Sequence, residues 1–105
     1  MVVIWSKPAI RDLKDYVQNS RLVTEERVQK YAESLVDYAD SLKQFPYLGK
    51  EFITYKTITI RQLLYEMHRI FYYIDNDKII IIHIAHYARS IENIIKALKK
   101  YIQEF

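Results

Sequence analysis

Cysteine is absent from the 105 residues, glycine occurs once and proline twice. No apolar run approaches the roughly 18 residues of a bilayer span. Each absence removes a class of protein. Without thiols there is no disulfide framework and no thiolate metal site, which fits a reducing compartment. A metal site would have to be built on the three histidines. With a single glycine and half of its residues hydrophobic, the chain is expected to be ordered throughout. Met1-Val2-Val3-Ile4-Trp5 passes at once into charged sequence, with no cleavable h-region, so the expected location is the cytoplasm and no membrane contact is expected. The length suits one hydrophobic core, hence a single domain over 1–105. Nothing in the sequence calls for a cofactor.

What is present is a mild positive charge, net +3, unevenly placed. Residues 1–44 carry seven basic and seven acidic side chains, and residues 45–105 carry nine and six. The excess sits with the second half of the chain and favours an anionic partner. It is weaker than the bias typical of nucleic-acid modules.

The pattern along the chain predicts β-α-α-β-β-β-α. Val2–Ile4 is a short apolar strand. Ser6 offers an N-cap oxygen, with Pro8 in the first turn, where its missing N–H costs nothing. Ile10, Leu13, Tyr16 and Val17 form one apolar stripe of a helix reaching about Asn19. After a connection over Asn19–Val23, Thr24 caps a longer helix with Glu25 and Glu26 at its positive end. Val28, Ala32, Leu35, Ala39 and Leu42 face its partner, giving an antiparallel helix pair. Phe45-Pro46-Tyr47-Leu48-Gly49 ends the pair, because proline cannot continue a helix and glycine suits a left-handed turn.

Three strand-like runs follow, Thr57–Tyr65, His68–Asp75 and Lys78–His86, and predict a three-stranded antiparallel meander. Asp75-Asn76-Asp77-Lys78 joins the last two as a tight hairpin. Ile79–Ile82 reads as a strand buried on both faces, hence central in the sheet. Ser90–Phe105 places Ile91, Ile94, Ile95, Leu98, Tyr101, Ile102 and Phe105 on one side and Lys96, Lys99, Lys100 and Gln103 on the other, a C-terminal amphipathic helix. The fold class is therefore α+β. With Asn76 and Asp77 as loop residues, Asp75 pairs with Lys78, Tyr72 with Ile81, Ile70 with His83 and Arg69 with Ile84. That register puts Arg69 and His86 on the same face, and His68 and His83 on the other. It argues against a three-histidine metal site.

This element order resembles the RelE/ParE superfamily of bacterial toxins over nearly the whole chain. Phe45-Pro46-Tyr47-Leu48-Gly49-Lys50, Arg61-Gln62-Leu63, His68-Arg69-Ile70-Phe71-Tyr72 and Ile84-Ala85-His86-Tyr87-Ala88-Arg89-Ser90-Ile91-Glu92 carry the resemblance. It implies the toxin half of a type II toxin–antitoxin pair, and a cognate antitoxin that wraps the toxin through an extended or helical C-terminal segment. The implied assembly is a toxin–antitoxin hetero-oligomer or a homodimer.

The superfamily divides by target. ParE-like members poison DNA gyrase and commonly show a histidine ending the last strand, an Arg-Asp or similar pair, and then a helix. His86, Arg89 and Ser90–Phe105 resemble that, with Ser90 in the acidic position. RelE- and YoeB-like members cleave mRNA on the ribosome with a Glu or Lys, an Arg and a C-terminal His or Tyr, a set over which Glu51, Arg69, His86 and Tyr87 can be laid. Cleavage through the 2′-hydroxyl needs a base, an acid for the leaving oxygen and a cation for the phosphate. The long helix after Arg89 favours the ParE-like reading.

Each residue also has a blander reading. His86 can be a strand-end histidine bonded to a backbone carbonyl, and His83 a half-buried packing residue. Arg61 and Arg69, with Arg89, are candidates for anion or target binding, yet an arginine in a strand can also deter edge aggregation. Among ten tyrosines, Tyr16, Tyr31 and Tyr38 fall on helix faces that packing explains, which leaves Tyr72 and Tyr87 as candidates for stacking. A non-toxic interaction module is the remaining class. A small partner encoded in the same operon distinguishes the toxin from it.

Overall fold

In the computed structural model, which describes residues 1–20 and 24–103, the elements are β1 (Val2–Trp5), α1 (Lys7–Asn19), α2 (Glu25–Asp40) with a 3-10 turn at Ser41–Lys43, β2 (Lys50–Tyr55), β3 (Ile58–Tyr65), β4 (His68–Asp75), β5 (Lys78–His86) and α3 (Ile91–Gln103). The capping residues act as expected. Ser6 accepts from the Ala9 amide at 3.2 Å and Thr24 from that of Arg27 at 3.3 Å. At α3, Ser90 accepts from Asn93 at 3.1 Å. Most of the connection expected over Asn19–Val23, and the packing expected of Phe105, lie outside the described residues.

The sheet order is β1-β5-β4-β3-β2, with β1 parallel to β5 and the rest an antiparallel meander. The meander has a fourth strand that the sequence reading lacked. Lys50–Tyr55 opens with two exposed charged residues and carries a bulge between Glu51 and Ile53, so it shows little alternation. It is also an edge strand, where one unpaired side weakens the sequence signal. β5 is an interior strand between β1 and β4, buried as its isoleucine run predicts, while β4 holds the middle of the sheet. Thr57, expected inside a strand, is a turn residue with φ 68°, beside Lys56 at φ 50°.

Gly49 serves a different purpose from the one its sequence position suggests. No glycine has positive φ. A side chain at 49 would instead meet the Gln62 carbonyl oxygen and the Tyr72 ring at 2.8 Å. Close approach, not a left-handed turn, requires glycine there.

The helix pair covers one sheet face, where Ala9, Leu35, Ala39 and Leu42 pack on Leu63, Ile70, Tyr72, Ile79, Ile81 and Ile84. α3 covers the other with Ile94, Leu98 and Ile102 on Ile60, Phe71, Ile82 and Ala85. Of its expected apolar side, Ile91 stays exposed at 47%. The hairpin register holds from Asp75–Lys78 to Tyr72–Ile81 and then slips by one residue. Ile82 and His83 together oppose Phe71, so Ile70 pairs with Ile84, Arg69 with Ala85 and His68 with His86. A bulge of this kind reverses side-chain parity beyond it. His86 therefore shares a face with His68, and Arg69 lies on the opposite one, correcting the sequence-derived register.

Candidate target-binding site

The chemistry-bearing residues gather where the β3–β4 turn meets the end of β5. The Tyr87 amide donates to the Met67 carbonyl at 2.7 Å, tying the two segments together, and the Arg89 amide donates to the His86 carbonyl at 3.0 Å, turning the chain towards α3. His86 Nδ1 accepts from the Ala88 amide at 3.1 Å. The expected backbone partner of His86 is thus a donor rather than a carbonyl. An accepting Nδ1 puts the ring proton on Nε2. Tyr87 is 55% exposed, its ring 4.9 Å from that of His86.

On the helix-pair face, His68 is buried with its Nδ1 2.8 Å from the Tyr31 hydroxyl, its ring edge-on to Tyr16 at 4.6 Å and to His86 at 5.6 Å. Burial lowers its pKa to about 4, helped by the neighbouring His86, so it is neutral near pH 7. Burial likewise raises the Tyr31 hydroxyl to about 12. Tyr16 and Tyr31 thus belong to the site's supporting wall. The sequence showed them only as aromatic residues on helix faces, because the Tyr31–His68 contact spans 37 positions.

On the α3 face, Arg69 donates from NH1 to Gln62 Oε1 at 2.7 Å, and its Nε is buried without a hydrogen-bond partner among the described residues. Its cross-strand neighbour Leu64 is 59% exposed. His83, next along the ladder, is bonded through Nδ1 to Asp12 at 2.8 Å and faces Arg89 through Nε2 at 3.4 Å. Half-buried Arg69 lies beside exposed Leu64, and Arg89, like Met67 and Tyr87, is exposed.

Other expected site residues lie elsewhere. Arg61 donates from Nε to the Gly49 carbonyl at 2.9 Å, approaches Glu51 at 3.7 Å and stacks 5.0 Å from the Tyr47 ring. Tyr72 is fully buried, so it cannot stack with a partner. Its hydroxyl donates to the Pro46 carbonyl at 2.8 Å and accepts from the Gly49 amide at 2.9 Å. Glu51 lies on β2, three strands from His86 and four rungs along, so about 14 Å across and 13 Å along the sheet. A cleft of about 720 Å³ opens at this far end beside Tyr47, Glu51 and Arg61. Its arginine is already committed to the protein's own groups, so the end bearing His86 and Arg89 is the better candidate.

The geometry thus brings together His86, Tyr87, Arg69 and Arg89, with Arg69 and His86 on opposite faces, and leaves Glu51 and Arg61 apart. Asp12, which no sequence signal marked, joins the cluster across 71 positions.

No curated protein matches the chain. Solved structures share its fold, among them two toxin–antitoxin assemblies. One is the chromosomal ParDE toxin–antitoxin system of Pseudomonas aeruginosa, with TM-score 0.70, 20% identity, and coverage of 82% of this chain and 95% of that one. The other is the RelBE2 toxin–antitoxin complex of Mycobacterium tuberculosis, with TM-score 0.61, 18% identity, and coverage of 84% and 92%. The sequence pattern of the ParE toxin of type II toxin–antitoxin systems matches residues 3–91. With that match spanning most of the sheet and both helices of the pair, the chain belongs to the ParE toxin family.

Proposed function

We propose that the chain arrests growth by poisoning DNA gyrase, engaging it through the sheet end that carries Arg69, Tyr87 and Arg89, and that a cognate antitoxin neutralises it. Membership of the ParE family supports the toxin reading, and the two fold neighbours, described as toxin–antitoxin assemblies, support the antitoxin. One observation carries the choice of target. Arg69 and His86 face opposite sides of the sheet and Glu51 is remote from both. Transesterification of RNA needs base, acid and phosphate-binding cation converging on one ribose-phosphate unit. Exposed Arg89 and Tyr87 suit a protein surface instead, where arginine and tyrosine are favoured contacts.

Ribosome-dependent mRNA cleavage is the second reading. The adjacent His86 and Tyr87 rings favour it, since His86 Nε2 is free of the Ala88 bond and could move a proton. The test uses wild type, His86→Ala and Arg69→Ala in gyrase supercoiling and in mRNA cleavage on the ribosome. The gyrase reading expects wild type to inhibit supercoiling, Arg69→Ala to inhibit less, and mRNA to stay intact. Codon-position cleavage by wild type that disappears in both variants would install the nuclease.

A further inference from the structure

We propose that Asp12 and His83 are positioning residues that hold Arg89 ready for its target. The inference rests on the reading of Arg89 as a target contact. Arg89 is exposed, in the turn between β5 and α3, where a long side chain with no fixed partner loses considerable rotamer freedom on binding. One of its guanidinium nitrogens lies 3.4 Å from His83 Nε2. A guanidinium only donates, so Nε2 must accept, and the single proton of the neutral ring sits on Nδ1. Nδ1 is 2.8 Å from Asp12 Oδ2, where that proton finds its acceptor.

The carboxylate is held in turn. Asp12 Oδ2 also accepts from the Ile84 amide at 3.0 Å. β1 pairs with β5 only as far as Trp5 and Ile81, so this amide lies past the end of β1, where the strand edge would otherwise be bare. The His83 ring is only 7% exposed and stacks on Phe71 with centroids 5.9 Å apart and planes at 21°. The bulge at Ile82 and His83 turns the imidazole to this edge. A carboxylate from α1 thus fixes the ring's tautomer, and the ring offers the arginine a lone pair. Capping the strand edge alone would need Asp12 and no histidine. The lone pair aimed at Arg89 is the part that a purely structural role leaves unexplained.

The test begins with nitrogen-15 NMR of the histidine side chains in the full chain at neutral pH. His83 should be neutral with its proton on Nδ1. A proton on Nε2 would set donor against donor and overturn the proposal. His83→Asn keeps an N–H directed to Asp12 and removes the acceptor for Arg89. Its potency against gyrase supercoiling should fall roughly tenfold, as for other hydrogen bonds to charged groups, and should match Arg89→Gln. If His83→Asn inhibits like wild type while Arg89→Gln is weak, the positioning role is gone and the target reading stands. Full potency in Arg89→Gln sinks the target reading, and the proposal with it. Thermal unfolding checks that each variant is folded, and a wild-type proton on Nε2 overturns the proposal even where a variant is not.

Discussion

The two ends of the meander both carry arginine, tyrosine and a tight turn, yet they spend these residues differently. At the Gly49 end, Arg61 and Tyr72 are bonded to backbone groups of residues 46–49. At the His86 end, Arg69 is bonded to a side chain and keeps a buried Nε unpartnered, while Arg89 leans on an imidazole and Tyr87 is exposed. The lesson concerns what an arginine in a strand means. One whose donors meet backbone carbonyls braces a loop, and one whose donors are held only by side chains retains capacity for a partner.

Breaking the Gly49 end should give the largest effects on stability. Gly49→Ala places a methyl group 2.8 Å from a backbone oxygen and a buried ring, so a loss of about 3 kcal/mol is expected. That corresponds to a melting temperature lower by roughly 12 °C or more in a domain of this size. An unchanged melting curve would show that the loop yields without strain. Tyr72→Phe strands the Gly49 amide and the Pro46 carbonyl and should cost about 2 kcal/mol in urea unfolding, with toxicity per folded molecule unchanged.

The His86 end should instead show itself through pH. His68 binds its proton at about 4 when folded against 6.5 ordinarily. The unfolded chain therefore holds the extra proton between these values, and stability is full above about pH 6.5 and declines as pH falls towards 4. By pH 4.5 the loss from this group is on the order of 2 kcal/mol. His68→Phe should show a correspondingly flatter pH dependence in denaturant titrations, and an equally steep one would move the effect to another group.

The two strand arginines sharpen the contrast. Arg61→Ala should cost about 1–2 kcal/mol, since it removes a bond to the Gly49 carbonyl. Arg69→Ala should cost less, about 0.5–1 kcal/mol, while weakening the action on the target, because its NH1 bond goes to the Gln62 side chain rather than to the backbone. Equal melting temperatures in the two variants would erase the distinction drawn here. A small effect of opposite sign is expected at the β2–β3 turn, where Thr57 sits at φ 68°. Thr57→Gly should stabilise by about 0.5–1 kcal/mol, relieving a β-branched residue in the left-handed region.

Much of the local structure was legible in the chain. Ser6 and Thr24 each cap a helix next to an apolar stripe, and Ile79–Ile82 marked an interior strand, because these signals act within a few residues. The order of elements and the end of β5 were enough for the RelE/ParE resemblance, and the ParE match confirms it. The edge strand β2 stayed hidden because its exposed residues need no alternation. What only the tertiary structure decided turns on one extra residue in β5. The bulge at Ile82 and His83 parts Arg69 from His86 and turns His83 to Asp12. Strand pairing and helix packing set that bulge jointly. No pattern in a sequence of period two announces a single residue out of step, nor an aspartate 71 positions away that makes use of it.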